Sequence, residues 1–219
     1  MIKSEKLSIA GELAAGIAHE IRNPITSIKG FLQLMQSSEY EKEIYFDIMS
    51  SEINRIELIL SELLMLAKPQ ATQTAPRDVT MILEDVVALM QPEAILKNVH
   101  IQVMAEIEQA VVDCEENQLK QVFINFIKNA IEAMPDGGVL NIIVTNSSSN
   151  ELSLQFTDQG CGIPEELISK LGQPFYTTKE KGTGLGFMVS KRIIENHHGT
   201  VDIHSKLNEG TTIEVKLPI

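Results

Sequence analysis

The sequence predicts an α+β chain in two parts: a helical hairpin that pairs with a second copy into a dimeric four-helix bundle, followed by a layered α/β sandwich. Three observations predict it. Apolar or small residues recur at alternating steps of three and four at Leu7, Ala10, Ala14, Ile17, Ile21, Pro24, Ile28, Phe31 and Met35, and again from Tyr45 to Leu66, which is the seam of helices packed in a bundle. Lys68 to Asp78, KPQATQTAPRD, holds two prolines and no apolar period, and reads as an interdomain linker. Beyond it, helix-period and strand-period segments alternate, the pattern of a sheet covered by helices. The expected boundaries are 1–68 for the hairpin, 69–78 for the linker and 79–219 for the sandwich.

The first helix is expected from about Ser4 to Gln36. Pro24 sits inside it, lacking an N–H and colliding with the carbonyl of Glu20, so the helix bends or loosens there. On a heptad count His19 falls opposite the seam and faces water, Glu20 is its neighbour, and Asn23 lies one turn further along the same face. A solvent-facing histidine on an amphipathic helix is by itself usually decoration. The proline is harder to dismiss, since an interior proline costs roughly 3 kcal/mol. Ser37-Ser38-Glu39 breaks the helix, and a second one carries Tyr45, Met49, Glu52, Ile56, Ile59, Leu63 and Leu66 and ends before Pro69. A lone hairpin covers only one side of each apolar stripe. A homodimer is the economical remedy, with docking within the chain as the alternative.

In the second part a helix is expected over Val79 to Lys97 with Pro92 as its weak point, then strands near Val99 to Met104 and Ala110 to Cys114. A strong helix follows from about Glu116 to Met134, its buried face marked by Leu119, Val122, Phe123, Phe126, Ile127 and Ala130. Pro135 to Gly138 is a turn. Leu140 to Thr145 and Leu152 to Thr157 alternate as strands around a hairpin at Asn146 to Asn150, and the chain closes with a helix at Leu185 to His197 and strands at Thr200 to Ser205 and Thr211 to Leu217. The sum is a mostly antiparallel sheet with helices on one face. Between Gln159 and Thr183 only Glu165 to Leu171 has a weak helical signal, and a segment that long is read as a lid over a binding site.

Composition narrows the classes. Of 219 residues 43% are hydrophobic and the formal charge is -12, which supports a globular core and disfavours nucleic acid and anionic membrane as partners. Cys114 and Cys161 are far apart without a CxxC pattern, as in a reducing cytoplasm and without a metal or redox site. The longest apolar stretch, Leu58 to Ala67, is interrupted by Ser61 and Glu62 and too short for a bilayer, and no signal peptide is visible. The expected location is cytoplasmic. Heptads already run at Leu7, as in a fragment of a longer protein. Any membrane attachment would then fall to an absent amino-terminal sensor region.

Two glycine clusters bracket the lid, Asp158-Gln159-Gly160-Cys161-Gly162 and Gly182-Thr183-Gly184-Leu185-Gly186. Glycine lets backbone approach a ligand, and the second cluster opens a helix whose first amides suit a phosphate. Each cluster alone is common in turns. Asp158, ending an apolar strand, is placed to accept from an exocyclic amine such as that of adenine. Asn125 and Asn129 lie one turn apart on one helix face. They either satisfy core polar groups or offer amide oxygens to a hard cation such as Mg²⁺ that also holds phosphates.

Taken in order, these features resemble the histidine kinase family: a dimerising hairpin followed by the GHKL (Bergerat) ATP-binding domain. AGIAHEIRNPITSIKGF resembles the H box, QLKQVFINFIKNAIEAM the N box, DQGCGI the G1 box, PFYTTK the F box and KGTGLG the G2 box. The HEIRNP form is similar to the sporulation sensor kinases of spore-forming bacteria. The resemblance implies that His19 is the phosphoacceptor, that Glu20 orients and deprotonates it, and that Asn23 is the polar position used in dephosphorylating a response regulator. It makes Asn129 the Mg²⁺ ligand with Asn125 in support, Asp158 the adenine contact, and Gly160 and Gly162 the walls of that pocket. Gly182, Thr183, Gly184, Leu185 and Gly186 belong to the loop that wraps the triphosphate, Phe175 anchors the lid, and Lys179 and Lys181 are candidates for phosphate charge. Glu132 stands where many kinases have a basic residue, and Phe187 replaces the usual leucine after GTGLG.

The implied cofactors are ATP and Mg²⁺, and the implied partners a second copy of the chain and the receiver domain of a response regulator, with the bundle also open to a protein inhibitor. The implied reaction is attack of neutral His19 on the γ-phosphorus of MgATP and transfer to a receiver aspartate. Two rivals remain. A GHKL ATPase would need a glutamate to activate water at position 125, where this chain has Asn125. A nucleotide-binding scaffold would lack the chemistry altogether.

Overall fold

The computed structural model describes residues 21–36, 42–67, 74–107, 110–148, 150–174, 176–177 and 184–219. The chain divides into two compact units, Met1–Gln70 with Gln173–Leu185, and Ala71–Gly172 with Gly186–Ile219.

In the first unit, α1 (described over 21–36) and α2 (Lys42–Ala67) are both helical. Helix α1 runs through Pro24, and Thr26 Oγ1 donates to the Arg22 carbonyl at 2.8 Å. Such a back-bond competes with the helix ladder on the turn that also lacks the Pro24 N–H. The expected start near Ser4 and the turn at Ser37 to Glu39 lie outside the described residues. The Phe31 and Tyr45 rings meet with centroids 5.5 Å apart, and Met49 and Ile59 are buried. Ile25, Leu32, Leu34, Ile44, Phe46, Ile53 and Leu60 are exposed.

The second unit begins earlier than the sequence suggests. Ala75–Asp78 is a strand, β1, although it lies in the stretch read as linker. It pairs antiparallel with β3 (Val111–Cys114), Ala75 opposite Cys114 and Asp78 opposite Val111, in a two-stranded sheet of its own. An edge strand tolerates Pro76, which needs no ladder donor on its open side. Asp78 then caps α3 (Val79–Leu96), its Oδ1 accepting from Thr80 N at 2.9 Å and Thr80 Oγ1 at 2.6 Å. Those bonds hold its carboxyl below the usual range, and such a cap contributes about 1 kcal/mol.

The main sheet has the order β2-β4-β5-β7-β6, with β2 (Val99–Ala105), β4 (Gly138–Ser148), β5 (Glu151–Thr157), β6 (Thr200–Lys206) and β7 (Gly210–Pro218). Only the β2–β4 pair is parallel. Alternation sets the faces: Leu140, Ile142 and Val144 on β4, Leu152, Leu154 and Phe156 on β5 and Val215 and Leu217 on β7 are buried, as period-two patterning requires. Helix α4 (Glu116–Ala133) supplies the facing layer, with Phe123 and Phe126 stacked on Phe156 at 5.8 and 5.6 Å. Each such ring pair adds about 0.5–1.5 kcal/mol beyond its buried area. The short α5 (Glu165–Ile168) and α6 (Gly186–Asn196) complete the described elements.

Candidate functional site

Helix α4 is the spine of the site. Its N-cap is Glu115, whose carboxylate accepts from the backbone of Asn117 at 3.1 Å and Gln118 at 2.9 Å. Leu119, Val122, Phe123, Phe126, Ile127 and Ala130 bury one stripe against the sheet, which fixes the rotation of the helix. Asn125 and Asn129 therefore lie half-buried along its flank. Asn129 Nδ2 donates to Asn125 Oδ1 at 3.2 Å, and Asn125 Nδ2 donates to Ser190 Oγ on α6 at 2.9 Å. Gly186, the first residue of α6, packs so closely on this pair that a Cβ there would come within 2.7 Å of Asn125 Oδ1. Glycine at this position lets the N-terminus of α6 reach the flank of α4, and the Phe126 and Phe187 rings meet beside it at 6.2 Å.

Asp158 follows the end of β5 and is only 8% exposed. Its Oδ1 accepts from Gly160 N at 2.8 Å and Thr211 N at 3.1 Å. Two backbone amides on one oxygen fix the plane of the carboxylate. The loop after it is clamped to its surroundings: Cys161 N donates to the Ala133 carbonyl at 3.1 Å, Asn208 N donates to the Cys161 carbonyl at 2.8 Å, and Ile163 N donates to Ser205 Oγ at 2.8 Å. Gly162 has φ +66°, and a Cβ on it would strike the Lys206 carbonyl at 2.0 Å; one on Gly160 would strike the Ala133 carbonyl at 2.6 Å. Glycine is thus demanded here by the protein's own backbone. The contact with Ala133 sets the loop at the C-terminal end of α4, one turn past Asn129, so Asp158 and the asparagine pair are held by the same helix.

These groups fit a nucleotide and a hard cation. A pinned carboxylate suits an exocyclic amine, amide oxygens suit Mg²⁺, and a helix N-terminus beside them suits phosphate. Among the described residues no cluster of three or more His, Cys, Asp or Glu could cage a metal.

Of the remaining expected site residues, Asn23 is exposed on α1. Gly184 has φ +68°, the left-handed region that favours glycine, and Leu185 is buried. His19, Glu20, Phe175, Lys179, Lys181, Gly182 and Thr183 lie outside the described residues. Glu132 is exposed. Three supporting groups escaped the sequence reading: Thr211, whose amide pins Asp158, and Ser190 and His197 on and just beyond α6. The signal for the last two was present. Both fall on the stripe of Val189, Ile193 and Ile194, where a polar residue needs a partner. His197 Nε2 accepts from Glu115 N at 3.0 Å and its Nδ1 bonds the Ile193 carbonyl at 2.7 Å, tying the end of α6 to the start of α4.

Residues 10–72 match the family described as His Kinase A (phospho-acceptor) domain, and residues 114–219 match that described as Histidine kinase-, DNA gyrase B-, and HSP90-like ATPase. The chain belongs to the histidine kinase family. Sporulation kinase A of Bacillus subtilis is 52% identical over 221 residues, covering 100% of this chain and 36% of that protein. Sporulation kinase C of the same organism is 49% identical over 218 residues, 99% of this chain and 51% of that protein. The chain therefore spans about a third to a half of the length of these relatives. Among solved structures, the histidine kinase ThkA in complex with response regulator protein TrrA superposes with a TM-score of 0.83 at 30% identity, covering 98% of this chain and 63% of that one. This histidine kinase chain shows no helix, among the described residues, that is long and apolar enough to cross a membrane.

Proposed function

We propose that this chain is the kinase core of a sporulation-type sensor protein, which transfers the γ-phosphoryl group of ATP to His19 and then to an aspartate of a response regulator receiver. The observation that carries this reading is the pinned Asp158 at one end of α4 and the Asn125–Asn129 pair on its flank, in a chain whose residues 10–72 match a phospho-acceptor domain. Asp158 holds the adenine amine, Asn129 with Asn125 holds the cation, and the first turn of α6 meets the phosphates. MgATP, when bound, supplies the phosphoryl group and a hard positive charge.

The remaining work belongs to the chain. His19 attacks as the neutral imidazole, one ring nitrogen forming the bond to phosphorus as the bond to the β-phosphate oxygen breaks and ADP leaves. The ring's proton passes to Glu20. The protein contributes positioning and charge neutralisation, which is most of what phosphoryl transfer asks. Asn23, one turn from His19, takes the polar role in removing phosphate from the receiver. The apolar side chains exposed on α1 and α2 support a homodimer, because a second hairpin covers them at about 25 cal/mol per Å² of buried area.

Hydrolysis to free phosphate is disfavoured by Asn125, whose amide is engaged with Ser190 on one side and Asn129 on the other; it has no carboxylate to activate water. Incubation with γ-labelled ATP and a panel of receiver domains decides between the two. Label that appears first on the chain and then on one receiver supports the kinase. Steady release of inorganic phosphate with no labelled protein at any time would make the chain an ATPase.

A further inference from the structure

The carboxylate of Asp158 is held by two amides from different segments, Gly160 N on the loop that follows it and Thr211 N at the start of β7. The angle between those two donors depends on how the loop and the strand are joined. Part of the joining is backbone to backbone: Asp158 N donates to the Thr211 carbonyl at 2.9 Å, and Asn208 N donates to the Cys161 carbonyl at 2.8 Å. One side chain also bridges them. Ser205 on β6 stands opposite Thr211 in the β6–β7 ladder, so Asp158, Thr211 and Ser205 form a row across the ends of three neighbouring strands.

Ser205 Oγ lies 2.8 Å from Ile163 N, 2.9 Å from the Gly210 carbonyl oxygen and 2.9 Å from Thr211 Oγ1. An amide N–H can only donate and a carbonyl can only accept, so the serine oxygen accepts from Ile163 and spends its single proton on Gly210. With both of those bonds made, the Thr211 hydroxyl has to be the donor in the third. Every bonding position of the serine hydroxyl is then used, and it clamps the end of the loop at Ile163 to the first two residues of β7. Thr211 is buried, and a buried hydroxyl is costly unless bonded, so the clamp serves the threonine as well.

We propose that Ser205 is a positioning residue for the nucleotide base: by tying the Ile163 end of the loop to Gly210 and Thr211 it sets the two amides that aim the Asp158 carboxylate, and so sharpens selection for a base with an exocyclic amine. The inference rests on the reading of Asp158 as the adenine contact. Ser205 itself touches no ligand. Its removal leaves the backbone ties of Asp158 and Cys161 in place, so the domain stays folded while the carboxylate loses its aim, and a hydrogen bond weakens steeply as its angle worsens.

The test is displacement of trinitrophenyl-ATP from the whole chain by ATP and by ITP, whose hypoxanthine carries a carbonyl in place of the amine, giving a dissociation constant for each nucleotide in wild type, Ser205→Ala, Ser205→Cys and Ser205→Thr. The wild type should prefer ATP. In Ser205→Ala the ATP constant should rise about fivefold, the fold-change equivalent to one hydrogen bond of about 1 kcal/mol, while the ITP constant stays unchanged, so the preference narrows by the same factor. Ser205→Cys, nearly isosteric but a weak donor and acceptor, should narrow it in the same direction and carries the test if the alanine variant does not fold. Ser205→Thr, which keeps the hydroxyl on a strand that favours β-branched residues, should restore the wild-type ratio. A wild type that binds ATP and ITP equally would remove the adenine reading of Asp158. A wild type that prefers ATP, with that preference unchanged in the folded variants or with both constants rising together, would overturn the role of Ser205 and leave the adenine reading standing.

Discussion

Asp158→Asn separates what the carboxylate does for the fold from what it does for a ligand. In the native chain Oδ1 accepts from the buried amides of Gly160 and Thr211. Asparagine can keep both bonds by presenting its own carbonyl oxygen to them. Its second terminal atom then becomes an N–H₂, so a donor stands where the adenine amine needs an acceptor. The hydrogen bond lost is one to a charged group, about 1.5–3 kcal/mol, or roughly 10- to 150-fold in Kd. Stability should fall by no more than about 1 kcal/mol, because the fold still has its acceptor. Asp158→Ala should behave differently. It orphans two buried amides at about 1–3 kcal/mol each, a large part of the roughly 5–15 kcal/mol that holds a domain together. Isothermal titration with ATP and urea unfolding on the same preparations read the two effects apart. Native ATP affinity in a well-folded Asp158→Asn chain would refute the adenine assignment. So would a ligand loss that merely followed the loss of stability across both variants.

Two further predictions concern the supports of the site. His197→Ala removes the acceptor of Glu115 N and the ring's own bond to the Ile193 carbonyl, which the backbone N–H of residue 197 also reaches, and leaves a cavity, so unfolding should cost about 2–4 kcal/mol less; an unchanged urea midpoint would show that α4 does not need this tie. In the folded chain only one of the two thiols should react with a disulfide reagent at pH 8, since Cys161 is exposed while burial pushes the Cys114 thiol up to about 11. Both should react after denaturation, and two fast thiols in the native chain would contradict the burial of Cys114.

The elements with strong periodicity were legible without coordinates. Helix α4 lies within the expected Glu116 to Met134 because its apolar stripe and its cap are local features. The hairpin strands β4 and β5 read correctly for the same reason, although β4 continues to Ser148 across an irregular register at Asn146. Ala75–Asp78 did not read as a strand. Four residues with a proline and two charges carry no alternation, and only the pairing with β3 makes them one. At the site, spacing revealed Asn125, Asn129 and Asp158 as unusual but not what holds them. Ser190 is 65 positions from Asn125, and Thr211 is 53 from Asp158, distances that no local pattern spans. The glycines of the first cluster were legible as a requirement, with a different cause. Their space is taken by the carbonyls of Ala133 and Lys206.

The destination of the phosphoryl group decides between a kinase and an ATPase. Wild-type chain and His19→Ala, both shown to bind ATP, are incubated with γ-labelled ATP and Mg²⁺, and the protein-bound label is then tested in acid and in alkali. Transfer to His19 should leave label on the wild type that acid removes and alkali spares, and none on His19→Ala. Equal labelling of the two, or a label that survives acid, would contradict it.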